Sequence, residues 1–264
     1  MPKIFGIVNI TSDSFSDGGQ YLAPEKTLAH AQQLVDTGAD VLDIGPASSH
    51  PDAGAVTPAE EIARLQGVWS LLKALPAGLS VDSFQIETQR WAIAHGTDWL
   101  NDINGFAEPS LYDELADASC QLVVMHAIQS KGIARRAPAP DGDIWDHILR
   151  FFETRLKILE DAGIARDRLV IDPGMGFFLG NDPQTSLRVL GGLAQLKQAF
   201  DAPVLICASR KSFLRAIANV SLAEVGPVSL AAELLATAQG VDYIRTHEVA
   251  PLAQALTLWG EAEK

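Results

Sequence analysis

Short apolar runs alternate with longer amphipathic ones from one end of the chain to the other. The short runs predict eight strands: Ile4–Ile10, Val41–Gly45, Leu79–Ser83, Trp99–Ile103, Leu122–His126, Leu169–Asp172, Val204–Ala208 and Tyr243–Thr246. The segments between them carry helix signals. In Thr57-Pro58-Ala59-Glu60 a Thr cap precedes Pro at the first helical position and Glu at the third. Between residues 143 and 162, apolar side chains recur at Ile144, Ile148, Phe151, Phe152 and Leu159, and the pattern stops at Gly163. Strands that alternate with helices in this way belong to a parallel sheet wrapped in helices.

A faint repeat supports the same reading. Gly38-Ala39-Asp40, Gly96-Thr97-Asp98 and Gly240-Val241-Asp242 each close a helix and open a strand, and Gly there can take the left-handed turn into the sheet. The length, 264 residues, is close to the ~250 of one β/α barrel. The expected fold is therefore α/β, a (β/α)8 TIM barrel, in a single domain over residues 1–264. An open doubly wound sheet is the rival, but it usually has a glycine-rich nucleotide loop after its first strand. Here Asn9-Ile10-Thr11-Ser12-Asp13-Ser14 follows instead.

Composition narrows the partners. With 20 Lys+Arg against 33 Asp+Glu the net charge is −13, which repels nucleic acid and anionic membranes. Met1-Pro2-Lys3 leads directly into a strand, and no apolar run approaches ~20 residues. A cytoplasmic protein acting on small molecules is expected, with neither nucleic acid nor membrane as partner. Cys120 and Cys207 lie in or beside apolar runs without metal-type spacing and read as buried, reduced thiols.

Barrel enzymes build their sites at the C-terminal ends of the strands, and those ends read Asn9, Asp43, Asp82, Asn101, His126, Asp172, Ser209-Arg210-Lys211 and Arg245-Thr246-His247. One polar residue at such a position is ordinarily a turn former or a cap; the full set marks a site. Arg210, Lys211, Arg245 and His247 come from the last two units, where barrels often bind phosphate, and form a cation cluster for an anion. Asp82, Asn101 and Asp172 are short acceptors suited to a planar, donor-rich heterocycle, since buried carboxylates need partners. Asn9 and the oxygen-rich loop after it suit Mg²⁺ bound mainly through substrate phosphates, and Asp17-Gly18-Gly19 gives that loop the freedom of a lid.

Several of these segments, in order, resemble the dihydropteroate synthases: Asn9 through Gly19, Ser80-Val81-Asp82-Ser83, Asn101-Asp102-Ile103-Asn104-Gly105, Met125-His126, Asp172-Pro173-Gly174-Met175-Gly176-Phe177, Ser209-Arg210-Lys211-Ser212-Phe213 and Arg245-Thr246-His247. The resemblance implies condensation of 6-hydroxymethyl-7,8-dihydropterin diphosphate with p-aminobenzoate, giving dihydropteroate and pyrophosphate. It places the pterin on Asp82, Asn101, Met125, Asp172 and Lys211, the diphosphate on Asn9, Arg245 and His247, and Mg²⁺ on Asn9. It sets p-aminobenzoate among Ser49, His50, Pro51, Phe177, Phe178 and Ser212, makes Lys211, Arg245, His247 and Asp82 the catalytic set, and implies a homodimer.

Two loops depart from the family pattern. Its usual Gly-Gly-Glu-Ser-Thr-Arg-Pro-Gly reads here Gly45-Pro46-Ala47-Ser48-Ser49-His50-Pro51-Asp52, so the loop Arg is His50; its Phe-Gly-Lys reads Phe177-Phe178-Leu179-Gly180. Both variants resemble the sulfonamide-insensitive, mobile-element type, in which bulk at these loops would exclude the larger drug tail while admitting the carboxylate substrate. Two alternatives stay open: a methyltetrahydrofolate methyltransferase-like pterin barrel, which releases no diphosphate, and a non-catalytic pterin-binding partner protein.

Overall fold

The computed structural model describes residues 1–10, 22–129, 131–262 and 264. Thr11, Ser12, Asp13, Ser14 and the Asp17-Gly18-Gly19 lid lie outside the described residues. Eight strands run in chain order: β1 (Lys3–Asn9), β2 (Val41–Gly45), β3 (Gly78–Asp82), β4 (Trp99–Asp102), β5 (Gln121–Met125), β6 (Leu169–Asp172), β7 (Leu205–Ile206) and β8 (Tyr243–Thr246). The helices are α1 (Leu22–Asp36), α2 (Pro58–Leu72), α3 (Ile86–Ala94), α4 (Tyr112–Asp117), α5 (Ile144–Asp161), α6 (Pro183–Leu190), α7 (Ala194–Phe200), α8 (Ser212–Ala218), α9 (Gly226–Ala238) and α10 (Val249–Ala262).

All strand pairs are parallel, in the order β6-β5-β4-β3-β2-β1-β8-β7. A parallel bridge from Ile171 to Val204 joins the two ends and closes the barrel. The (β/α)8 expectation is borne out, and most strand ends fall within a residue of those read from the sequence. β7 is shorter than expected. Beyond Ala208 the chain folds back, Lys211 N–H donating to Ala208 O at 3.3 Å, and Arg210 takes φ +58°, so the ladder ends early.

The helix signals act as predicted. Thr57 and Glu60 form a reciprocal capping box at the start of α2, and Asp143 caps α5 through Trp145 N–H. The Gly-X-Asp repeat proves to be a strand clamp. Gly38, Gly96 and Gly240 have φ of 111°, 70° and 77°, and the Asp two places later accepts a backbone N–H at the start of a neighbouring strand. Asp40 takes Ile4 N–H at 2.7 Å, Asp98 takes Leu79 N–H at 2.8 Å and Asp242 takes Val204 N–H at 2.8 Å.

Inside the barrel, Phe5, Val41, Trp99, Val123, Val170 and Leu205 pack with Tyr243 into a floor. Phe5 meets Trp99 and Tyr243 edge-on at 5.0 and 5.5 Å. Strand side chains alternate between faces, so the residue two places beyond each floor residue also points inward. Those residues are Ile7, Asp43, Asn101, Met125, Asp172, Cys207 and Arg245. The apolar floor thus fixes the level at which polar chemistry begins.

The clamp gives a direct test. Removing the Asp98 carboxylate leaves Leu79 N–H without its acceptor, so Asp98→Ala should lower unfolding stability by about 1–2 kcal/mol. Urea denaturation should show a lower midpoint at unchanged slope; an unchanged midpoint would contradict the clamp.

Candidate active site

The level above the floor is organised around one guanidinium. Arg245, on β8, donates through Nε to Asp43 Oδ2 and through Nη2 to Asp82 Oδ2, the latter at 2.5 Å. Its Nη1 faces Cys207 Sγ at 3.7 Å. Asn101 Nδ2 reaches the same Asp43 oxygen at 3.5 Å. Four strands therefore converge on one buried charge. Asp43 Oδ1 and Asn101 Oδ1 have no hydrogen-bond partner, so the interior offers acceptors that await donors.

Burial acts on the carboxyls here. It pushes Asp82 up to about 7 against the opposing pull of Arg245, and Asp172 up to about 6 against the amide of Gly174. Asp172 Oδ1 accepts that amide at 2.8 Å. Gly174 has φ +74°, and a Cβ there would lie 2.4 Å from the His126 carbonyl oxygen, so only glycine lets this loop pass so close to β5. His126 is buried, bonds Pro173 O through Nδ1 at 3.0 Å and is held neutral by burial, at about 4. It anchors the loop rather than facing a ligand.

The basic residues lie nearer the mouth. Among the described residues, Arg210 pairs with Glu248 at 2.9 Å, and its amide donates to Ser229 Oγ at 3.0 Å. His247 bonds Ser209 Oγ through both its amide, at 3.2 Å, and Nδ1, at 3.1 Å. Burial first, then Arg245, Arg210 and Lys211, lower its imidazole to about 3. The cluster read from the sequence does come together on one cavity wall, but its free charge is smaller than expected: His247 is neutral, Arg210 and Arg245 are already paired, and Lys211 has no ion pair among the described residues. Lys211 Nζ lies 5.4 Å above the Phe178 ring.

A cavity of about 400 Å³ opens above this level. Its wall brings together Asn9, Asp82, Lys211, Arg245 and His247 with Ser49, His50, Pro51, Phe177, Phe178 and Ser212. Asn101, Met125 and Asp172 are not on that wall; they are buried at 4%, 6% and 3% exposure. Met125 is covered by a small cluster of Ile103, Ala134 and Phe178. A second cavity of about 320 Å³ shares Ala47, Ser48, Ser49 and Asp82 with the first. On its wall Glu61 of α2 accepts a hydrogen bond from Ser83 Oγ at 2.6 Å.

This arrangement matches known proteins along the whole chain. The family model described as pterin binding enzyme matches residues 5–247. The dihydropteroate synthase type-2 of Escherichia coli is 54% identical over 255 residues, covering 97% of this chain and 94% of that relative. The chain belongs to the dihydropteroate synthases. The dihydropteroate synthase of E. coli strain K12 is 32% identical over 256 residues, covering 97% of this chain and 89% of its own. The solved structure of the Xanthomonas albilineans synthase with 4-aminobenzoic acid superposes with TM-score 0.90 at 36% identity, covering 99% of this chain and 93% of that one.

Four residues with contacts in or beside this interior were given no role from the sequence. Asp43 was read only as a strand end, Cys207 as a buried thiol, and Glu61 and Glu233 were not singled out. Counting in twos from the apolar floor would have found the first two. Glu233, on α9, is 2% exposed and bonds Thr246 between Arg245 and His247; burial raises it to about 7 from an ordinary 4.5. Ser229, one turn earlier on the same helix, holds Arg210, so one face of α9 supports both basic strand ends.

Glu233 also makes stability depend on pH with a definite sign. The folded chain keeps a proton on Glu233 up to about 7, whereas the unfolded chain releases it near 4.5. Stability from this group is thus full below 4.5 and is lost as pH rises toward 7. Glu233→Gln removes the titration, so its advantage over the parent should grow between about pH 5 and about pH 8, reaching roughly 2–3 kcal/mol. Urea unfolding across that range checks it; a difference independent of pH would contradict it.

Proposed function

We propose that the chain condenses 6-hydroxymethyl-7,8-dihydropterin diphosphate with p-aminobenzoate, forming 7,8-dihydropteroate and releasing pyrophosphate. The observation that carries this reading is the pair of unpartnered buried acceptors, Asp43 Oδ1 and Asn101 Oδ1, beneath a cavity lined by Lys211, Arg245 and His247. A donor-rich ring supplies the missing hydrogen bonds, and its diphosphate reaches toward the basic end.

In this reading Asp82, Asn101, Met125, Asp172 and Lys211 hold the pterin, with Asp172 and Asp82 accepting its ring N–H groups. As the diphosphate arrives, Arg245 exchanges part of its carboxylate pairing for phosphate oxygens, and the anion raises His247 toward its charged form. The C–O bond at the pterin methylene breaks with its electron pair going to the diphosphate, whose growing charge Arg245, Lys211 and His247 stabilise. The aniline nitrogen then attacks the methylene carbon, and its surplus proton is released. No protein nucleophile is needed.

Mg²⁺ belongs to the same proposal. Among the described residues no cluster of three or more His, Cys, Asp or Glu is placed to hold a metal. That fits a cation held by Asn9, at the cavity wall, with substrate phosphates and water completing its shell. When bound it would neutralise the departing diphosphate. A cytoplasmic location and a homodimer complete the reading. No helix among the described residues is long and apolar enough to cross a membrane, and exposed Leu235 of α9 and Leu258 of α10 offer apolar surface to a second copy.

We also propose tolerance of sulfonamides. Phe178 is 5% exposed and packs against Ile103, Met125 and Ala134, while His50 meets Phe177 edge-on at 6.1 Å. On this reading the aromatic side chains Phe177 and Phe178 would meet a drug's sulfonyl tail. A coupled pyrophosphate-release assay tests both statements. The parent should turn over the two substrates and resist sulfamethoxazole relative to its p-aminobenzoate KM, and Phe178→Gly should gain sensitivity. No pyrophosphate on mixing the substrates would overturn the activity, and sub-micromolar inhibition of the parent would overturn the tolerance.

A further inference from the structure

The segment from Lys131 to Ala139, between β5 and α5, crosses the mouth of the site and is fastened to three other loops. Gly132 N–H donates to Asn104 Oδ1, after β4, at 2.8 Å. Ala134 N–H donates to Ser49 O, after β2, at 3.1 Å, and Ala137 O accepts Asn181 N–H, after β6, at 2.8 Å. Gly180 is at φ +107°, and a Cβ there would come within 2.7 Å of Ala139 N. The strap is pressed down on the β6 loop.

Its long side chain reaches furthest. Arg136 donates through both terminal nitrogens to the carboxylate of Asp52, Nη2 to Oδ2 at 2.6 Å. The same guanidinium lies 5.5 Å from the centre of the Phe177 ring. Asp52 in turn donates its amide to His50 Nδ1 at 3.2 Å. Neither Arg136 nor Asp52 lines the cavity, but Ser49, His50, Pro51 and Phe177 do. Any effect of the pair on a ligand must therefore pass through the β2 and β6 loops.

We propose that the Arg136–Asp52 pair is the clasp of this strap and that Arg136 is a specificity-determining positioning residue, holding Phe177 and the Ser49–Pro51 loop at the spacing that admits p-aminobenzoate. The inference rests on the synthase reading above. Fork-to-carboxylate geometry gives the clasp direction as well as attraction, and the planar guanidinium can cover an aromatic ring while it binds the carboxylate. Both partners are about half exposed, at 50% and 61%, so the clasp is of moderate strength. Its influence is local: it borders the p-aminobenzoate end and touches none of Asp82, Asn101, Asp172 or Arg245.

Steady-state kinetics on the full chain separates this role from a general structural one. Asp52→Asn and Arg136→Ala should each raise the p-aminobenzoate KM about five- to tenfold, the scale of one half-exposed ion pair plus one ring contact. The pterin diphosphate KM should change by less than about twofold. Because the two residues share one interaction, the double variant should be no worse than the poorer single one. Arg136→Lys, with a point charge in place of the fork, should fall between parent and Arg136→Ala. Unchanged p-aminobenzoate KM in both single variants would overturn the proposal. So would a joint rise of both KM values with a fall in Tm. Amide hydrogen exchange gives a readout independent of activity: Ala134 and Asn181 amides should exchange faster in Arg136→Ala, and unchanged protection would overturn the clasp. An inactive parent with the expected exchange pattern would instead overturn the synthase reading alone.

Discussion

The guanidinium of Arg245, 15% exposed and held between Asp43 and Asp82, is the interaction on which the rest of the site depends. A charge taken out of water is costly unless it is paired and hydrogen-bonded, and removing one partner of a buried pair typically costs about 3–5 kcal/mol. Here β8 supplies the cation and β2 and β3 supply the anions, so the pairing reaches from β8 past β1 to two further strands of the barrel. It also leaves one Asp43 oxygen without a partner. The guanidinium is thus already paired before a ligand arrives, while the carboxyl and amide oxygens beside it are short of hydrogen-bond donors.

That pairing changes how an acidic chain can accept an anionic substrate. The basic residues at the mouth are not a bare positive patch. Arg210 is held by Glu248, Arg245 by two carboxylates, and His247 is neutral against Ser209. A diphosphate would enter by partner exchange, and a donor-rich ring would supply the donors that the carboxyls lack. On the proposed reading, both halves of one substrate would complete both halves of the site, which is a physical basis for selectivity.

Much of the architecture was legible in the sequence because barrel strands are short, apolar and separated by amphipathic helices. The Gly-X-Asp echo was visible as a repeat, but not its mechanism, since the Asp side chains clamp neighbouring strands rather than their own. Of the strand ends read as site residues, Asp82 and Arg245 line the cavity, whereas Asp172 is buried away from its wall. Asp43 was read as a strand end too, but without its role, which lies in its contact with Arg245, 202 positions away. Glu61 and Glu233 sit on helices whose outer faces are charged, and nothing in their local pattern says that they point inward. The Arg136–Asp52 pair, 84 positions apart, joins two loops with no periodicity at all. The cation cluster was read correctly as a grouping, since Arg210, Lys211, Arg245 and His247 share one cavity wall, but strand-end positions do not show which charges are already paired.

The central claim, that two interior carboxylates set Arg245 and through it the chemistry, is tested most directly by kcat for Asp43→Asn. This substitution keeps the shape of a side chain that is 0% exposed and removes one of the two carboxylates paired with the guanidinium. Loss of the carboxylate that orients Arg245 toward the departing diphosphate predicts a fall in kcat of about a hundredfold, with a barrel that still folds by circular dichroism. A variant that turns over at the parental rate would contradict the account.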